Sequence, residues 1–227
     1  MRYLEEKAGK VHFAITNRGF RCVSSKDIVE ICGLFGFSAA NIRAILVRKG
    51  ALIPLFFKGI FYVRNSSELL TKTLPSDRLI LVALACNKHL DRNWYFGLYT
   101  ALQLNNLSGV QTPTKIFIIT KKQLIPRKRR TANIELIFSQ IKGISFSDAI
   151  MEKNGVRYSN PVRTAMDFLH LGIKKKDTEY AEVILDAILD LDEKRFVSKY
   201  KRLLPSYSTK ASIKKIIEKH LSGYHAL

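Results

Sequence analysis

Between Ser38 and Gly50 stand Asn41, Arg43, Ala44, Val47, Arg48 and Lys49. A helix that gathers these residues on one side gives them the chemistry to read base edges and neutralise phosphates. At about 100° per residue, Ile42, Ile45 and Leu46 cluster on one side and belong to a core. The opposite side carries Ala40, Arg43, Ala44 and Val47, flanked by Asn41 and Arg48. Asn and Arg match adenine and guanine edges, Ala and Val suit thymine methyls, and small side chains let such a helix lie deep in a major groove. A merely solvated face with two arginines is the plainer alternative. Lys58, at the tip of a following hairpin, suits a phosphate contact, which carries no sequence information. The run Pro126-Arg127-Lys128-Arg129-Arg130 is the densest cluster of charge in the chain. Adjacent cations repel unless they meet an anion, so a second nucleic-acid contact is expected there. A nuclear-localisation tetrad and a solvated loop are the other readings. Lys174-Lys175-Lys176, following Gly172 at a helix end, reads as complementing the helix dipole.

Catalytic constellations are not evident. His12, His89, His170, His220 and His225 show no metal-ligand spacing, and neither GxSxG, a P-loop nor GxGxxG occurs. His170, on an apolar helix, reads as a core or boundary histidine. Glu179, Glu182 and Asp186 form one acidic helix face opposite Ile184, Leu185 and Ile188, which reads as solvated rather than as a two-metal nuclease centre. Glu135 on a strand near basic residues is a weaker nuclease-like pattern. Cys22, Cys32 and Cys86 have no CxxC spacing and do not make a disulfide scaffold. No catalytic, cofactor-binding or metal-binding residue is expected.

The 227 residues carry 38 Lys and Arg against 19 Asp and Glu, a net charge of +19. Such an excess favours a polyanionic partner. It is spread out: +7 over residues 1–65, +8 over 66–160 and +4 over 161–227. That excludes a single basic tail and favours several basic surfaces. Hydrophobic residues at 47% indicate a globular chain. The longest apolar run, Leu79 to Cys86, is eight residues, against about 20 for a membrane span. The first ten residues lack the apolar segment of a signal peptide. A cytoplasmic location without membrane contact is expected.

The elements that position the candidate residues follow from periodicity and punctuation. Leu4, Ala8, Val11 and Ile15 predict a helix over about 3–17, and Phe20–Val23 a short strand. Ser24 or Ser25 caps a second helix with Ile28, Ile31, Cys32 and Phe35 as its apolar stripe. Ser38 caps a third helix ending at Gly50, and two β-rich runs flank Lys58-Gly59 as a hairpin, with Pro54 on an edge. Helix, strand, helix, helix, hairpin is the order of a winged helix-turn-helix. Residues 66–77 read as a polar linker, and Ser76 as the cap of an apolar, buried helix from Arg78 to Leu90. Another helix is expected over Trp94–Leu104, strands at Lys115–Thr120, Ile134–Phe138 and Val156–Tyr158, and a helix opened by Asn160-Pro161. Three further helices are expected at about 179–191, 193–204 and 209–221. The whole reads as α+β: a DNA-binding domain over 1–65, then an α+β domain over 66–227 that ends in helices from about 161.

The chain also resembles the AbiEi-type antitoxins of abortive-infection (type IV) toxin–antitoxin systems, a family that includes transcriptional regulators of viral defence. The resemblance lies in Val47–Leu52 with Lys58–Val63, in Tyr95–Leu107, in Val110–Thr120 and in Tyr158–Asp167. Asn106 and Val162 stand where the family commonly has Gly and Glu. The resemblance implies an N-terminal winged helix, an antitoxin-like C-terminal domain, and repression of the chain's own operon at a duplex operator. It implies a nucleotidyltransferase-like toxin as a functional partner without need of direct contact. A homodimer on DNA and RNA at the basic loop are further arrangements left open. The rival classes are a nuclease or nucleotidyl-transfer enzyme and a non-specific nucleic-acid-binding protein.

Overall fold

The computed structural model describes residues 2–75, 77–107, 114–126, 128–131 and 134–224. The chain is α+β and divides into two compact units, Met1–Asp91 and Arg92–Leu227.

The first unit runs α1 (Arg2–Asn17), β1 (Cys22–Ser24), α2 (Ser25–Leu34), α3 (Ala39–Arg48), β2 (Leu52–Pro54), β3 (Ile60–Val63), α4 (Ser66–Thr71) and α5 (Arg78–Leu90). β3 is the middle strand of an antiparallel sheet ordered β1-β3-β2. Pro54 therefore lies on an edge strand, where its missing N–H costs no ladder bond. Phe61 and Val63 join the core formed by α1, α2 and α3, around Val11, Ile31 and Leu46. Ser24 caps α2 in a reciprocal box: its hydroxyl accepts from Asp27 N–H at 3.2 Å, and its own N–H donates to the Asp27 carboxylate at 2.5 Å. Ser38 occupies the cap position of α3, but its side chain makes no capping bond. Phe35, expected on the α2 stripe, falls at the helix end and is 41% exposed.

Residues 66–77 contain α4, not only a linker. Asn65 and Glu68 form its capping box, and Arg64 donates to the carbonyls of Lys72 and Thr73 at its far end. The α5 cap is Asp77, whose carboxylate accepts from Leu79 N–H at 2.8 Å; Ser76 lies outside the described residues. α5 packs on β1 and β3, so the first unit extends well past residue 65, to Asp91.

The second unit runs β4 (Trp94–Phe96), α6 (Leu98–Leu104), β5 (Lys115–Thr120), β6 (Lys128–Thr131), β7 (Ile134–Gln140), β8 (Ile150–Lys153), β9 (Val156–Ser159), α7 (Pro161–Lys175), α8 (Glu179–Leu203), a short 3₁₀ turn (Leu204–Ser206) and α9 (Lys210–Tyr224). Its sheet is mixed, ordered β6-β7-β5-β4-β9-β8, with β5 parallel to β7 and β4 parallel to β9. The helix expected over Trp94–Leu104 is instead a strand, a turn and a shorter helix. The aromatic triplet Trp94-Tyr95-Phe96 is β-prone and pairs with β5. Gly97 permits the turn: a Cβ there would lie 2.5 Å from the Ile119 side chain. The two helices expected at about 179–191 and 193–204 both lie within α8, which is broken at Asp192, whose backbone leaves the helical region (φ −165, ψ 78).

Below the helices lies a buried polar network. The phenols of Tyr95 and Tyr207 each donate to the Asp167 carboxylate at 2.7 Å, and Arg163 Nε donates to Tyr95 at 3.3 Å. It ties α7 to β4 and to the turn before α9. Among the described residues, no single helix is long and apolar enough to cross a membrane.

Candidate nucleic-acid interface

α3 presents the two faces its spacing predicts. Ile42, Ile45 and Leu46 are buried, whereas Asn41, Arg43, Ala44, Arg48 and Lys49 are exposed and Val47 is half-buried. Burial of one stripe fixes the helix's rotation and leaves the other stripe outward.

Arg43 has a neighbour that lies far off in sequence. Its guanidinium donates to Ser25 Oγ at 3.2 Å, at the start of α2. The Ser25 N–H donates to the carbonyl of Gly59 at 2.7 Å, next to the exposed Lys58. Gly59 has φ +78, and a Cβ on it would lie 2.9 Å from Ser25 Oγ. The hairpin tip, the α2 N-terminus and the outward face of α3 therefore meet at Ser25. The sequence marks Ser25 only as an alternative cap, because nothing local signals a contact across 18 positions.

Lys49 faces elsewhere: its ammonium pairs with Glu5 of α1 at 3.1 Å. As the C-cap of α3 it turns back toward α1, away from the Arg43 stripe.

The basic run is divided by the strand it forms. Arg127 lies outside the described residues, and Lys128–Thr131 is β6, the outermost strand, paired with β7. Lys128 stands opposite Ile137 and Arg129 opposite Leu136, so these two neighbours point to opposite sides of the sheet. Arg129 is half-buried, with its Nε enclosed, whereas Lys128 is exposed. Arg130 stands opposite Glu135. Lys128 and Arg129 thus lie on opposite faces of an edge strand rather than on one continuous patch.

The acidic face of α8 is not simply solvated. His220 of α9 sets Nδ1 2.5 Å from Asp186 and Nε2 3.0 Å from Glu182, and Lys219 lies 3.8 Å from Glu182. His220, followed by the Thr178 hydroxyl, holds the Glu182 carboxyl below its ordinary value of 4.5. His170 is fully buried, with Nδ1 2.7 Å from Thr209 Oγ1; burial, then Lys174, lowers its pKa to about 4. Cys22 is also buried, and burial pushes its thiol up to about 12. Among the described residues, no group of three or more His, Cys, Asp or Glu side chains is arranged to hold a metal ion.

No known family model matches the chain, and no curated protein sequence does. Its fold is similar to that of the crystal structure of RV2827C protein from Mycobacterium tuberculosis: TM-score 0.60 at 14% identity, over 93% of this chain and 76% of that one.

Proposed function

We propose that residues 1–91 form a winged helix-turn-helix that reads duplex DNA with α3, and that the chain is a transcriptional repressor of its own operon. This is the role implied by its resemblance to the AbiEi-type antitoxins. The observation that carries the reading is the meeting at Ser25. There the outward α3 face, through Arg43, is joined to the hairpin tip that holds Lys58. A helix for base edges beside a hairpin for backbone is the division of labour that direct readout needs. Asn41, Arg43, Ala44 and Val47 are assigned to bases, and Arg48 and Lys58 to phosphates. Lys49, paired with Glu5, is given no direct role. Under the same reading the second unit is the antitoxin-like part, with the toxin a functional partner, and no catalytic step is assigned.

The test is an electrophoretic shift on the DNA upstream of the chain's own gene and on a scrambled duplex of equal length. Specific operators are bound about 10³–10⁷ times more tightly than random DNA. Equal affinity for the two duplexes would refute the repressor reading.

A further inference from the structure

The second unit carries 24 basic against 12 acidic residues, so the larger part of the net charge lies outside the proposed DNA-reading unit. Part of that excess converges on one cleft. The last turn of α7 and the outer strands of the sheet enclose a cavity of about 420 Å³ lined by Lys128, Gln123, Ser139, Gln140, Lys174 and Lys175. Strand register explains the convergence. Lys128 stands opposite Ile137, and Ile137 and Ser139 share one face of β7, the face on which α7 ends. The helix dipole accounts for Lys174 and Lys175 alone, but it gives no reason for Lys128 to project from a separate strand to the same place. Among the described residues, none of the three lysines is in an ion pair.

A second cavity, of about 190 Å³, adjoins the first and shares Ile137, Ser139, Leu171 and Lys175 with it. Its walls are aromatic. Tyr99 lies 4.9 Å from Phe117, 5.2 Å from Phe168 and 5.4 Å from Tyr180, ring centre to ring centre. Tyr180 keeps 48% of its surface exposed, so the cluster ends in an accessible ring. Asp177 also lines this cavity and is its one acidic group among the lining residues.

We infer that this cleft binds single-stranded nucleic acid, with phosphates on Lys128, Lys174 and Lys175 and an unpaired base against Tyr180. Lysines beside an open aromatic ring are what strand binding requires: charge follows the backbone, and the ring takes the face of any base. A duplex keeps its bases stacked inside and offers nothing to the ring. The assignment does not depend on the α3 reading.

The test uses the full chain and fluorescence anisotropy with a labelled ten-nucleotide oligouridine, an oligothymidine of the same length, and unlabelled uridine monophosphate as competitor. The variants are K128Q/K174Q/K175Q, Y180A, Y180F and R43A, each checked for an unchanged circular-dichroism melt. The wild type should bind the oligomers. The triple variant should weaken binding at least tenfold and lower the slope of log K against log salt by about 0.7 for each phosphate no longer neutralised. Y180A should weaken it about tenfold, and Y180F and R43A should leave it unchanged. Failure of the wild type to bind, or wild-type affinity in the triple variant, would overturn the assignment. So would a weakened triple variant beside an unaffected Y180A, which leaves only a phosphate site. Competition by the mononucleotide equal to that by the oligomer would overturn strand binding in favour of a free nucleotide. R43A should weaken operator binding while keeping oligouridine, so the two sites fail separately.

Discussion

Arg43 reaches outward from α3 and is steadied by one hydroxyl, Ser25 Oγ at 3.2 Å. Substituting it removes the proposed base contact without opening the core, because Ile42, Ile45 and Leu46 remain buried behind it. R43A should weaken binding to the operator by about 1–3 kcal/mol and barely change binding to a scrambled duplex. K58A at the hairpin tip should weaken both duplexes alike, since a phosphate is present in every sequence. Equal weakening on the two duplexes in R43A, read by electrophoretic shift, would remove Arg43 from base readout. His170 is buried and held neutral, with its pKa lowered to about 4 from 6.5. Above 6.5 both folded and unfolded states carry the neutral ring, and the group costs nothing. As the pH falls below 6.5 the unfolded state takes a proton that the folded state refuses, so stability drops down to about pH 4, in total by on the order of 3 kcal/mol. The fall in melting temperature between pH 7.5 and pH 5 should shrink in H170N; an undiminished fall would place the titration elsewhere. The two faces of α3 are legible in the sequence, because helical geometry alone sorts neighbours at fixed spacing. The ion pair of Lys49 with Glu5 is not, because it depends on where α1 crosses α3.

At the scale of elements, α9 is held to α8 in two ways. Ile213 and Ile217 are fully buried, and His220 bridges Asp186 and Glu182. Each ring nitrogen faces a carboxylate. H220A should lower stability by about 1–2 kcal/mol, since the bonds are charge-assisted but partly open to water. It should also speed proteolysis between α8 and α9. Glu182, with its folded pKa lowered, contributes stability above its ordinary value of 4.5 and loses it as the pH falls through the lower folded value. E182Q should therefore flatten the acid side of the melting profile, and an unchanged acid limb would show that Glu182 is not the group titrating there. From sequence the acidic stripe on α8 reads as solvated, because periodicity shows which residues share a face, not what is laid over it. β6 is hidden for a related reason. Lys128, Arg129 and Arg130 stand in a row with no apolar residue alternating between them, so only pairing with β7 makes them a strand, and cations on an outermost strand also keep the sheet edge from pairing with another chain. Tyr95 likewise lies in a run that fits a helix, and the pairing of β4 with β5 outweighs local preference.

At the scale of the molecule, the sequence suggests a seam between units after residue 65, where the hairpin ends and a polar stretch begins. Composition marks a polar stretch there, but it does not show which side α5 serves. β3 is buried on both faces: Phe61 and Val63 join the α1–α3 core, while Ile60 and Tyr62 point the other way and are buried too. α5 packs on that second face. His89 stacks on Phe57 with ring centres 4.2 Å apart, and Lys88 pairs with Asp27 at 2.8 Å. α4 adds Glu68, whose carboxylate accepts from the Tyr62 phenol at 2.7 Å and from Arg21 at 2.6 Å. A fragment ending at residue 65 therefore exposes Phe57, Ile60 and Tyr62, at a cost of about 1.5–3 kcal/mol for each large side chain uncovered. That is comparable to the whole stability of a domain this small. A fragment ending at Asp91 retains these contacts. By circular dichroism and thermal melting, residues 1–91 should fold cooperatively, whereas residues 1–65 should melt at least about 15 °C lower or show no transition. The longer fragment should also retain preference for operator over scrambled duplex while losing affinity for oligouridine, whose proposed site lies wholly in the second unit. A cooperative fold for 1–65 matching that of 1–91 would show that α4 and α5 are accessories, and would return the boundary to the end of the hairpin.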